Sequence, residues 1–218
     1  MNKIIKPLIA KSLMISLLFS FNCVIAQETK NVPNSGDILL SLKNIHQTSP
    51  QSLEFDIYVL NTDSTKNIEF ASFQAGIKFN SEILNNAVQK PGMCEFVQGE
   101  TDLNDSLVPI KVNTTSPGLI RIAGRPILKK SLGEKIPIKS PGLHLCRIRF
   151  TNSVPFKANS SPDFMFTSNV TGANAYATRI SVYYDFSKLN LQLDIIPLQN
   201  AVVEGNIILN PELKNNRR

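Results

Sequence analysis

The chain has 218 residues, and its 42% hydrophobic content is enough to build a self-sufficient core without cross-links. Its formal charge is +6, but three of the 23 basic residues fall within the first 26 positions, which hold no acid, leaving 20 against 17, a net +3. So small an excess is no electrostatic footprint for nucleic acid, and two His with two widely spaced Cys beyond the leader form no zinc signature.

Taken in order, Lys3, Lys6 and Lys11 supply a positive start, and the apolar run Leu13–Phe21 follows. Val24-Ile-Ala26 then offers a cleavage site before Gln27. This layout predicts a signal peptide over residues 1–26 and a secreted or cell-surface protein exported through the periplasm. The apolar run is shorter than the ~18–20 residues of a membrane span. Asn22 is a poor residue to precede a lipidated Cys23. No membrane span is therefore expected in the mature chain.

Residues 27–35 read as a loose polar leader. Residues 36–45 read as a first strand with Ile38, Leu40 and Leu42 on one face, and 46–51 as a turn. In the stretch 52–80, Leu53, Phe55, Ile57 and Val59 alternate with Glu54, Asp56 and Tyr58. Phe73, Ala75, Ile77 and Phe79 then alternate with Gln74, Gly76 and Lys78. The polar segment 61–67 between them predicts a hairpin. Ile68 and Phe70 are out of phase with Phe73, which predicts a bulge near Ala71.

Residues 87–106 are irregular. Strands are predicted at 107–113, 118–125, 142–151, 163–167, 178–185 and 189–195, with a last one at 201–209. The segment 129–140 is a basic loop. No stretch keeps a helical period. The pattern predicts an all-β fold of about nine strands, a two-sheet antiparallel β-sandwich spanning 36–197, with a C-terminal tail at 198–218.

Few residues point to chemistry. His46 and His144 lie near no nucleophile motif, and Glu54 and Asp56 read as solvated charges on an outer strand face. No catalytic residue, cofactor or metal is assigned, and the chain reads as a non-enzyme. Asp63 and the group Asp102, Asn104 and Asp105 offer oxygen ligands without the spacing of a calcium loop. Tyr58, Tyr176 and Tyr183 are the outward-phase aromatics that a sugar would need, there being no Trp. Cys146 is in phase with Ile148 and Phe150 and should point inward. In an oxidising compartment Cys94 and Cys146 are expected to pair as a disulfide, the rival being two separate thiols. Asn-x-Ser/Thr sequons at Asn104, Asn113, Asn159 and Asn169 and the triplets Asp63-Ser-Thr and Asp105-Ser-Leu agree with exposed, glycosylatable loops.

The segment Asn67–Leu84 resembles the cohesin pattern, in which an apolar alternation runs into an aromatic–Asn or aromatic–Asp corner, here Phe79-Asn80, followed by the apolar pair Ile83-Leu84. Gly118–Ala123 and Gly142–Phe150 resemble that family's glycine-led strands. The skeleton FDIYVLNT…FQAGIKFN…CRIRFTN is similar to the cohesin-like modules of large secreted proteins with a type IX sorting tail. The resemblance covers about 36–197 and implies a jelly-roll-like sandwich and a non-catalytic adhesion or assembly module that binds a protein partner. Related sandwiches bind polysaccharide, so a carbohydrate-binding module is the alternative. No dockerin-like segment or sorting domain is recognised after Pro197.

Overall fold

A computed structural model of the chain describes residues 32–105, 107–108, 110–124, 133–167, 176–184, 193–195 and 200–212. The signal peptide expected at 1–26, the first part of the leader expected at 27–35, the basic residues Lys129 and Lys130, the first part of the strand expected at 189–195 and the sequon at Asn169 lie outside them.

Among the described residues there are twelve strands: β1 Ile38–Ser49, β2 Ser52–Asn61, β3 Ile68–Lys78, β4 Cys94–Phe96, β5 Lys111–Asn113, β6 Leu119–Ala123, β7 Glu134–Lys135, β8 Leu143–Thr151, β9 Met165–Thr167, β10 Arg179–Tyr184, β11 Leu193–Ile195 and β12 Ala201–Val203. One sheet has five strands in the order β12-β1-β2-β8-β4. The other has seven, with β11-β10-β3-β6-β5 along its path and β7 and β9 also pairing with β3. All pairings are antiparallel except that of β1 with β12. The only helical segments among the described residues are single 3₁₀ turns at Ser35–Asp37 and Ser81–Leu84.

The apolar alternation builds the core as its period dictates. Leu40, Leu42, Leu53, Phe55, Ile57, Ile148 and Phe150 come from the first sheet, and Phe70, Phe73, Ile77, Ile120, Ile122 and Val182 from the second; all belong to one buried cluster. Each such side chain contributes about 1.5–3 kcal/mol by leaving water. The bulge expected near Ala71 is present: Ser181 pairs with Ser72 and Val182 with Phe70, so Ala71 is the extra residue. It brings Ile68 and Phe70 to the same face as Phe73.

The expected hairpin at 52–80 is not one. β2 lies in the five-stranded sheet and β3 in the seven-stranded sheet, so residues 61–67 carry the chain from one layer to the other. Both strands turn their apolar side inward, which alternation reports. Alternation does not report whether two inward faces lie side by side or opposite one another. The crossover is fixed by its own polar groups: Asn61 Nδ2 donates to the Lys66 carbonyl at 2.7 Å, and Lys66 Nζ sits 2.6 Å from Asp37 and 3.4 Å from Asp63.

Two boundaries also differ. β1 continues through His46 to Ser49, past a bulge where Asn44 takes φ 53°. The sandwich also reaches beyond residue 197, because β12 pairs with β1 and Leu209 is 1% exposed within the core.

Candidate functional site

The outer face of the five-stranded sheet is built on β2 and β8. Glu54 and Asp56, expected to be solvated, are 7% and 0% exposed. The register explains it. Asp56 is opposite Arg147 and Glu54 is opposite Arg149 across β2 and β8. Arg147 Nε donates to Asp56 Oδ1 at 2.8 Å and its terminal nitrogen to Oδ2 at 3.0 Å. Asn44 Nδ2 adds a third bond at 2.8 Å, and His144 Nε2 lies 3.3 Å from Oδ1. Burial by itself would raise the Asp56 carboxyl; the contacts from His144, Arg147 and Asn44 together outweigh it and hold the group well below the usual carboxylate range.

Arg149 bridges Glu54 and Glu95, Arg147 also reaches Glu100, and Lys43 pairs with Glu204. The residues after β4 continue along the edge of β8: Asp102 N donates to the His144 carbonyl, and the Asp102 carboxylate accepts from His144 N at 2.8 Å. This face spends its charges on itself.

The three tyrosines do not form a platform. Tyr58 is half-buried on the five-stranded sheet, stacked on the His144 ring from β8 at 4.7 Å, with Lys43 Nζ from β1 at 6.0 Å from its centroid. Tyr176 is half-buried beside the seven-stranded sheet. Tyr183, expected at the surface, is 1% exposed and belongs to the core cluster. It stands opposite Glu69 in register, outward by phase, yet it is covered, because strand phase fixes which side of a sheet a residue takes and not what lies on that side.

The expected disulfide is also corrected. Cys94 and Cys146 are free and both buried. Cys94 pairs with Phe150, four residues along β8 from Cys146. At ~3.3 Å per residue that is about 13 Å, well past the ~7 Å Cα separation a disulfide spans. Cys146 does point inward, at 0% exposure. Burial pushes both thiols up, with Asp56 adding to the shift at Cys146. Buried thiols of this kind behave as small apolar side chains. Both are expected to resist alkylation in the folded protein and to react fully once it is unfolded without reductant. Loss of either thiol in the unfolded titration counts against the free-thiol structure.

The acidic loops have internal uses. Asp63 Oδ1 accepts from Thr65 N and Thr65 Oγ1, and its other oxygen faces Lys66. Among the described residues no group of three or more His, Cys, Asp or Glu is placed to hold a metal.

The outer face of the seven-stranded sheet differs in character. In register, Lys78 lies beside Leu119, Gly76 beside Arg121, and Gln74 beside Ala123. β5 continues these rows, with Asn113 beside Arg121 and Lys111 beside Ala123. Lys78, Lys111 and Asn113 are exposed and Arg121 is half-buried. Among the described residues no carboxylate pairs with Lys78, Lys111 or Arg121.

Gly76 makes this arrangement possible. A Cβ there would meet Thr167 Cγ2 at 2.8 Å and the Tyr176 carbonyl oxygen at 3.0 Å. Without one, the backbone at Tyr176 and Thr178 lies directly against β3, and Gly76 N donates to Thr178 Oγ1 at 3.1 Å. Tyr176 is thereby brought over β6, where its hydroxyl donates to the Ile122 carbonyl at 3.0 Å and its ring lies 5.5 Å under the Arg121 guanidinium. Sequence reasoning singled out Tyr176 but not Arg121, Lys78 or Lys111, whose common face exists only through the β3–β6–β5 pairing.

No protein-family model matches the sequence, and no curated protein does. Among solved structures, the chain is similar to the sixth cohesin of scaffoldin B from Acetivibrio cellulolyticus, solved with a Cel5 dockerin mutant, at 9% identity and a TM-score of 0.46, covering 79% of this chain and 99% of that one. It is similar to a cohesin module of a family 33 glycoside hydrolase from Clostridium perfringens at 13% identity and a TM-score of 0.40, covering 76% and 98%. The second type II cohesin of the ScaA adaptor scaffoldin from A. cellulolyticus is similar at 10% identity and a TM-score of 0.42, covering 82% and 94%. What this chain binds has to be read from its own surface.

Proposed function

We propose that this chain is an exported, non-catalytic β-sandwich module that binds a protein partner through the outer face of its seven-stranded sheet, acting in adhesion or assembly. The observation that carries the reading is the contrast between the two outer faces. One neutralises its charges internally around Asp56 and Glu54. The other presents Lys78, Lys111 and Arg121 with no acidic partner among the described residues, beside a half-buried tyrosine. Arg and Tyr are the residue types that anchor protein interfaces. The cohesin-like sequence pattern and the export signal expected at residues 1–26 agree with an extracellular assembly role.

The polysaccharide alternative rests on Tyr58, Tyr176 and Tyr183. Tyr58 and Tyr176 belong to opposite sheets and Tyr183 is buried, so these three rings do not join into one continuous surface for a sugar chain.

A photo-crosslinking residue placed at Asn113, with a second at Ser153 as control, tests the reading against the proteins secreted by the source cells. Asn113 should yield one discrete protein adduct and Ser153 none. Retention on insoluble or soluble glycans with no adduct at Asn113 would decide for the carbohydrate module.

A further inference from the structure

Resting on the protein-binding reading above, we infer that the partner is an acidic protein surface that seats a carboxylate on Arg121, and that Tyr176 is the positioning residue holding the guanidinium ready for it.

The geometry gives Arg121 a role that a solvated surface arginine lacks. Its Nε is buried and has no hydrogen-bond partner among the described residues. On the opposite outer face, Arg147 on the buried Asp56 shows what satisfies such a group here: a carboxylate taken through Nε and a terminal nitrogen together. Arg121 has the donor fork and, among the described residues, no internal acid. The nearest outer-face carboxylate along β3 is Glu69, seven residues from Gly76, or about 23 Å at the rise of a strand. Lys78 and Lys111 flank the site on neighbouring strands and extend its positive field.

The Tyr176 ring lies within cation–π reach of the guanidinium, its centroid 5.5 Å from Cζ. The Tyr176 hydroxyl is tied to the Ile122 carbonyl, so the ring cannot swing away without giving up that bond. Burial pushes the phenol up, further from ionisation, so it stays a hydrogen-bond donor. An arginine held against an aromatic ring loses less freedom when it takes a bidentate carboxylate than one free in solvent. A neutral or basic partner would leave the buried donor unpaired, so the same group discriminates against it.

The test is an NMR titration of ¹⁵N-labelled protein with amidated hexaglutamate, following the Arg121 Nε–Hε signal and the backbone amides of residues 111–113 and 119–123. Hexaglutamate should shift these signals, and the shifts should collapse at about 0.5 M NaCl, where the Debye length is a few Å. Arg121→Gln should weaken binding at least tenfold. Tyr176→Leu should weaken it about threefold or more while the fold, read from the remaining amides, is kept. Lys157→Gln, at an exposed pair with Glu82, should leave it unchanged.

Wild-type affinity in Arg121→Gln, or shifts centred on the five-stranded sheet, would overturn the inference. So would binding of a heparin oligosaccharide with none of hexaglutamate, which would assign the face to sulfated glycan. If the Asn113 adduct still forms in Arg121→Gln with undiminished yield, the carboxylate inference fails and the protein-binding module stands. If no adduct forms at all, the module reading itself fails.

Discussion

Arg147→Met is expected to cost the fold about 3–5 kcal/mol, because it strands a carboxylate that has no access to water. Asp56 is 0% exposed, and Arg147 supplies two of its hydrogen bonds, at 2.8 and 3.0 Å. Met fills much of the vacated volume, so the loss measures the uncompensated charge more than a cavity. The double variant Asp56→Ala with Arg147→Met should then be less costly than the two single losses added, since neither stranded group remains. Urea denaturation of the three variants at constant m-value checks this. Additivity of the two single losses would show that the pair does not act as a unit.

The same pair fixes a pH dependence. Its contacts lower the Asp56 carboxyl in the folded state relative to the unfolded chain. A group lowered in this way contributes stability that is fully present above the unfolded pKa of ~3.9. That contribution is lost as pH falls below this value and through the folded pKa. In Arg147→Met a strong lowering contact is gone, while burial, which raises the group, remains. The deficit of the variant relative to wild type should therefore be largest near neutral pH and shrink toward about pH 4, where a protonated Asp56 is tolerated. A deficit that grows on acidification would contradict the assignment of the cost to Asp56.

The second large effect is expected at Phe150. It is 0% exposed, and its ring meets Phe79 edge-on at 5.1 Å and Phe156 edge-on at 6.0 Å. Phe79 follows β3 of the seven-stranded sheet and Phe150 lies on β8 of the five-stranded sheet, so this contact joins the two layers. Phe150→Ala removes the transfer term, leaves a cavity and forfeits two ring contacts, about 3–5 kcal/mol in all. Phe150→Leu should recover more than half of that loss, because it refills most of the space. Thermal and urea unfolding read both. A cost below about 1 kcal/mol for the alanine variant would mean that Phe79 and Phe156 close over the gap.

Much of the inside of this protein is determined by residue order alone. A strand presents alternate residues to opposite sides, so the runs Leu53–Val59 and Phe73–Phe79 already state which side chains leave water, and all of them do. The phase slip at Ala71 is likewise a local event, visible because one extra residue reverses the alternation. The inward direction of Cys146 follows from the same rule.

What the alternation cannot carry is the identity of the neighbour. Whether β2 and β3 pair or face each other, how far Cys94 comes to rest along β8 from Cys146, and what covers Tyr183 depend on contacts between segments distant in the chain. The fate of the charges is decided at that level too. Glu54 and Asp56 look like solvent-facing acids until the β2–β8 register sets Arg149 and Arg147 against them. Lys78, Lys111 and Arg121 are scattered cations until β3, β6 and β5 align in one sheet that brings them no acid among the described residues. Sidedness is a property of one strand's geometry, whereas desolvation and charge balance are properties of the partners that the tertiary fold selects.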